Sequence, residues 1–121
     1  MSDFSFPEKI RLKSKKLFDL IFEKGDKKVN RHFVIWHYSF PEFFYGNDSN
    51  FKIAIMVSRK LGKAVKRNRI KRLVRESVRL NKDKIKEGSL IILSPRFNEN
   101  LNLEEICKEI LDIFKKAEVL K

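Results

Sequence analysis

Ten lysines and arginines fall within residues 59–79 against a single acid, Glu76, and this stretch alone supplies +9 of the formal net charge of +12. The charge is therefore placed rather than spread. On a helical wheel of about 100° per residue with Ile70 at the origin, Leu73, Val74, Ser77 and Val78 cluster around that point, while Asn68, Arg72, Arg75 and Arg79 fall between about 140° and 200°. One face is built to pack and the other is a guanidinium ridge. A merely solvated helix face usually interleaves signs to form i,i+4 pairs, and this one does not. Lys63, Lys66 and Arg67 stand at the helix start, where the macrodipole disfavours cations by about 0.3–1 kcal/mol each. A bound phosphate reverses that penalty, because free backbone N–H groups and nearby cations both suit an anion and arginine grips two oxygens at once. The chemistry expected is the holding of a polyanion.

Bond-breaking chemistry has little support. His32 and His37 are five apart in an expected strand and so should face opposite ways, and Cys107 lies in an apolar stripe, so no zinc site assembles. Glu42, Asp48, Asp83 and Glu87 sit in expected loops or turns without the paired spacing of a two-metal nuclease. The Gly62 turn lacks the pattern of a nucleotide-binding phosphate loop. Phe18 and Phe22, one turn apart, suggest a base-stacking platform, although such a pair more commonly packs in a core.

The elements around these residues make one domain. With 121 residues, 42% of them apolar and eleven of them Phe, the chain has enough apolar surface for a single core. A charge of +12 with a pI near 10.0 favours a nucleic-acid partner. No apolar run is long enough to span a membrane, and Met1-Ser2-Asp3-Phe4 does not open a signal peptide, so a cytoplasmic protein without membrane association is expected. The one cysteine precludes an internal disulfide.

Residues 14–25 read as a first helix, capped by Ser14 and stopped by Gly25. Its apolar positions Leu17, Phe18, Leu20, Ile21 and Phe22 span roughly 200°, more than one core contact needs, which leaves the Phe18/Phe22 edge in excess. Residues 28–38 and 51–57 are rich in aromatic and β-branched side chains and are expected to pair as antiparallel strands across the loop at 39–50. The basic helix starts near Ala64. Leu90-Ile91-Ile92-Leu93 is a short buried strand closed by Pro95, and a third helix follows, capped by Asn102 with Glu105 and carrying a stripe of Leu103, Ile106, Cys107, Ile110, Leu111 and Phe114. Residues 1–10 and 118–121 are expected to be flexible ends of this single RNA-binding domain.

The run Val57-Ser58-Arg59-Lys60-Leu61-Gly62-Lys63-Ala64-Val65-Lys66-Arg67-Asn68-Arg69-Ile70-Lys71-Arg72-Leu73-Val74-Arg75-Glu76 closely resembles the signature of the bacterial ribonuclease P protein subunit. Arg11-Leu12 ahead of Phe18, Phe22 and Gly25, and Asn30-Arg31 ahead of residues 33–36, support the likeness, which covers most of residues 11–93. Lys63 departs from the family's usual Asn, and Ser94-Pro95-Arg96-Phe97 departs from its usual strand ending.

The resemblance implies an α+β two-layer sandwich of order α-β-β-β-α-β-α, with a small, mostly antiparallel sheet and a left-handed crossover through the basic helix. It implies the assisting subunit of an endonuclease in which a catalytic RNA and its magnesium ions remove the 5′ leader of precursor tRNA, with no metal bound by the protein alone. Contact with the RNA subunit then falls to Arg59, Lys60, Lys63, Lys66, Arg67, Asn68, Arg69, Lys71, Arg72 and Arg75, and contact with the leader to Phe18, Phe22, Arg31 and Trp36. The protein should be monomeric, one per RNA. A structural RNA-binder such as a ribosomal protein fits the charge equally well but lacks the Arg67-Asn68-Arg69 pattern. A DNA-binding regulator comes last, because the basic helix has no helix-turn-helix partner and no spare apolar face.

Overall fold

A computed structural model describes residues 8–46, 49–97 and 99–121. Part of the expected N-terminal flexible end, Asp48 among the loop acids, and Asn98 lie outside the described residues.

Helix α1, Lys15–Lys24, begins where Ser14 accepts a hydrogen bond from the Leu17 N–H and ends where the Gly25 N–H donates to the Ile21 carbonyl. Gly25 is needed for space and not for an unusual backbone: a Cβ there would stand 2.5 Å from the carbonyl oxygens of both Ile21 and His37. The strand-rich run after it divides into two strands, β1 (Asp26–Val29) and β2 (Phe33–Ser39), which form a hairpin. Asn30 makes that division. Its Oδ1 accepts from the N–H groups of His32 and Phe33 and closes the turn on itself.

Strands β3 (Phe51–Ile55) and β4 (Ser89–Pro95) complete a four-stranded sheet of order β1-β2-β4-β3. The direct pairing of β2 with β3 expected from their composition does not occur. β4 lies between them, antiparallel to β2 and parallel to β3. The reason is chemical: Leu90, Ile91, Ile92 and Leu93 are all fully buried, and a strand apolar on both faces is stable only in mid-sheet with both faces covered.

Helix α2 (Ala64–Leu80) connects β3 to β4, and α3 (Leu103–Lys116) follows, giving the order α-β-β-β-α-β-α of an α+β protein. α2 and α3 cover one face, where Ile70, Val74 and Val78 meet Ile106, Ile110, Phe114 and the sheet residues Phe33, Ile35, Ile53, Ile91 and Leu93. This is the expected sandwich of two layers. α1 adds partial cover to the opposite face, seating Ile21 on Leu90 and Ile92 beside Trp36 and Tyr38.

α3 carries the full capping box of Asn102 and Glu105, but its buried stripe is rotated from the expected one. Ile113 is fully buried, while Leu103, Cys107 and Leu111 are half-buried, because α3 must face α2 and β2 together. The C-terminal end is also tied down, contrary to expectation: Val119 is buried, Leu120 bridges to Ile85, and the carbonyl of Val119 accepts from Lys86 N–H at 2.6 Å. Both histidines lie on the α3 side of the sheet rather than on opposite faces. His32 precedes β2 in the bend, so strand alternation does not govern it.

Candidate nucleic-acid interface

The ridge begins before α2. A single 3-10 turn, Arg59–Leu61, is capped by Ser58 and ends at Gly62, whose φ of 135° lies in a region that side-chain-bearing residues avoid. Lys63 then occupies the N-cap position of α2 with no side-chain cap and no acid in the first turn. The N–H groups of that turn consequently have no intrahelical acceptor, and Lys63, Arg59 and Lys60 beside them are all exposed. Arg67 folds back, its Nε donating to the Gly62 carbonyl at 3.1 Å, and so braces the turn.

Further along, the wheel holds: Ile70, Val74, Ser77 and Val78 are buried, Asn68 and Arg72 are exposed, Arg69 and Lys71 are half-buried on the flanks, and Lys66 is half-buried at the start of the packing face. Two arginines depart from the expected uniform ridge. Arg79 makes a two-point ion pair with Glu76 at 2.9 and 2.7 Å, and that bond holds the Glu76 carboxyl below its usual range. Arg75 turns away from the ridge into a groove of about 230 Å³ lined by Arg11, Leu12, Phe18, Ala54 and Met56. Burial, and then the charge of Arg11, lower its pKa from the ordinary guanidinium value.

This groove opens onto the α1 face of the sheet, whose rows follow from the strand register. Lys27, Trp36, Ile92 and Ala54 make one row; Val29, Val34 and Ser94 make the next. α1 covers the first in part and leaves the second uncovered: Val29 is 41% exposed, and Met56, just past β3, is 42% exposed. Phe22, itself 45% exposed, stands with its ring centroid 6.5 Å from Phe18 and 5.3 Å from Trp36, edge-on to the indole. Phe18, Phe22 and Trp36 therefore form one wall. Arg31 stands apart from them in the exposed hairpin turn, beyond the Val29–Val34 pair. Sequence reasoning gave no role to Arg11, Lys27, Val29 or Met56, because each is brought to the cleft by strand register or by the approach to α1.

A larger cavity, about 460 Å³, lies on the α3 side, lined by Lys24, Lys28, Lys86 and Lys116 with Asp26 and Glu118. Lys24 and Lys116 occupy the last turns of α1 and α3, where cations answer the helix dipole, and the two acids offset the others. His37 lines it with Nε2 buried and without a hydrogen-bond partner among the described residues. Burial, reinforced by Lys28 and opposed by Asp26 and Glu118, lowers its pKa from 6.5. The imidazole is thus neutral in the fold, and the unfolded chain takes up the proton first on acidification. Stability is accordingly complete above the unfolded value and falls as pH drops through the folded one. Urea midpoints measured from pH 7.5 to 5 should show this decline, and His37→Gln should flatten it; an unchanged profile would remove His37 as its cause.

The family model described as Ribonuclease P matches residues 6–118. Ribonuclease P protein components of Bacillus cereus and Bacillus anthracis are each 35% identical over 111 residues, covering 91% of this chain and 92% and 89% of theirs. The RNase P protein of Staphylococcus aureus superposes with a TM-score of 0.78 at 32% identity, covering 93% of this chain and 98% of that one. That of Thermotoga maritima gives 0.72 at 31%, covering 88% and 96%. Fold and comparisons together define a small basic α+β protein component of a tRNA-processing endoribonuclease. The chain belongs to the ribonuclease P protein family.

Proposed function

We propose that this chain holds the catalytic RNA of ribonuclease P against the ridge of α2 and the single-stranded 5′ leader of precursor tRNA in the cleft beside α1, one protein to one RNA, while the RNA breaks the bond. The observation that carries this is the junction of the two surfaces. Arg75 belongs by sequence to the ridge and by position to the groove of Phe18 and Met56, so one rigid helix borders both. The cations placed there lower the repulsion between two polyanions.

The residues of the ridge do not fit a magnesium ion. Their one carboxylate, Glu76, is committed to Arg79, and apart from the neutral amide of Asn68 the other side chains of the ridge are cationic. Divalent ions accordingly belong with the RNA.

Reconstitution with a ribonuclease P RNA should give 5′ maturation at low magnesium, with protein alone inactive and RNA alone requiring more of the ion. Within that assay Phe22→Ala should weaken binding of leader-bearing precursor by about ten- to a hundredfold, as the loss of one stacked base predicts, and leave mature tRNA unaffected. Phe18→Ala should act in the same direction with some loss of stability, since Phe18 is half-buried. Equal weakening of precursor and mature tRNA would refute the leader assignment.

A further inference from the structure

The turn that ends α3 places a glutamate where glycine is the usual residue. The Val119 N–H donates to the Phe114 carbonyl and the Glu118 N–H to the Lys115 carbonyl, which sets Glu118 at the left-handed position of a Schellman turn, with φ of 58°. It is the one residue other than glycine with a positive φ among the described residues. A side chain there costs stability, and strain of this kind concentrates at functional sites. Glu118 lines the cavity of about 460 Å³ on the α3 side of the sheet, a volume within the range of about 300–1,000 Å³ common to small-molecule sites. The helix ends account for Lys24 and Lys116 in that lining but not for Lys28, Lys86, Asp26 and Glu118. Charges placed only to neutralise one another would pair, and none of these four makes an ion pair among the described residues. The buried Nε2 of His37, in the same lining, is likewise unanswered among them.

Two ammonium groups and two carboxylates around one cavity suit neither a simple anion nor a simple cation. They suit a ligand that carries an anion and an edge of N–H donors together. We propose that this cavity, on the face of the sheet opposite the cleft, is a guanine nucleotide site in which Lys28 and Lys86 hold the phosphate and the Glu118 carboxylate accepts the parallel N1–H and N2–H bonds of the base. Adenine has no such pair of donors, and uracil sets a carbonyl on each side of its N–H. A free nucleotide and an unpaired guanosine of an RNA strand offer the same groups.

Calorimetric titration of the purified chain with GMP and with AMP tests this. The basic ridge can take either nucleotide by its phosphate, so the ratio of the two affinities reads the cavity. GMP should bind about tenfold more tightly than AMP, the discrimination that a two-bond fork to a base edge supplies. Glu118→Gly should remove that preference and at the same time raise the thermal midpoint by a few degrees, because glycine relieves the turn. A glutamate with a purely structural role would not give those opposite signs. Lys28→Gln should weaken GMP binding, and Lys108→Gln, an equal change of charge at an exposed position of α3 outside the cavity, should not. Dialysis of the reconstituted holoenzyme against labelled GMP, with the Glu118→Gly holoenzyme as the blank, separates the sources: binding retained marks the free nucleotide as ligand, and binding lost marks a guanosine of the RNA. Equal affinities of the parent chain for GMP and AMP, or a preference that survives Glu118→Gly, would overturn the proposal.

Discussion

Replacing Arg69, Lys71 and Arg72 together by glutamine is expected to lower affinity for the catalytic RNA by roughly a thousandfold at 50 mM salt and by under a hundredfold at 200 mM. The difference between the two salts is the substance of the prediction. Each phosphate contact releases close to one counterion, so losing three should flatten the slope of log affinity against log salt by about 2.7. The three side chains are chosen so that folding is left alone. None is buried, the buried stripe of Ile70, Val74 and Val78 is untouched, and glutamine has nearly the helix propensity of the residues it replaces. Arg67 and Arg79 are left unchanged, so that the bonds to the Gly62 carbonyl and to Glu76 are kept. An unchanged thermal midpoint with the parent's salt slope would mean that the ridge does not contact phosphate.

Among the buried polar side chains, the largest single loss of stability is expected at Asn30. It is almost fully buried, and its amide uses every bond it can make in this setting: Oδ1 accepts from His32 and Phe33, and Nδ2 donates to the Glu109 carbonyl and to Asp112 Oδ2 at 3.1 and 3.0 Å. Asn30→Ala leaves two backbone donors of the turn without their acceptor and cuts both bonds to α3, at a cost of about 3 kcal/mol in denaturant unfolding. Arg31 follows it in the same turn, so leader affinity should fall as well. Asn30→Asp keeps the acceptor and closes the turn but sets a carboxylate against Asp112, so it should be comparably destabilising at neutral pH and recover part of the loss in acid. A cost below about 1 kcal/mol for the alanine variant would show that the turn holds itself without α3.

Local signals were legible in the residues. Ser14, Gly25 and the Asn102/Glu105 pair act within a few positions of chain, and the two faces of α2 follow from periodicity, so each could be read without knowing its surroundings. What was not legible was relational. Nothing in the composition of β2 and β3 says that β4 comes between them, because an alternating strand accepts either neighbour. Asn30 reads as a turn residue, and its hold on α3 spans 79 and 82 positions of sequence. Arg75 shares the outward half of the wheel with its fellows on the ridge and parts from them only because Phe18 arrives beside it from α1 and Arg11 from the segment ahead of that helix. The site residues were thus nameable one by one, and their grouping into ridge and wall came from the sheet.

The position of Arg75 has a metrical consequence. A helix rises about 1.5 Å per residue, so Arg72 and Arg75 are separated by about 4.5 Å along a stiff axis. If one grips the large RNA and the other borders the groove for the leader, α2 is a calliper whose jaws are set by residue count. Inserting one alanine between them would rotate the far jaw by about 100° while keeping every charge, and cleavage should then slip from its proper phosphodiester even where both RNAs still bind.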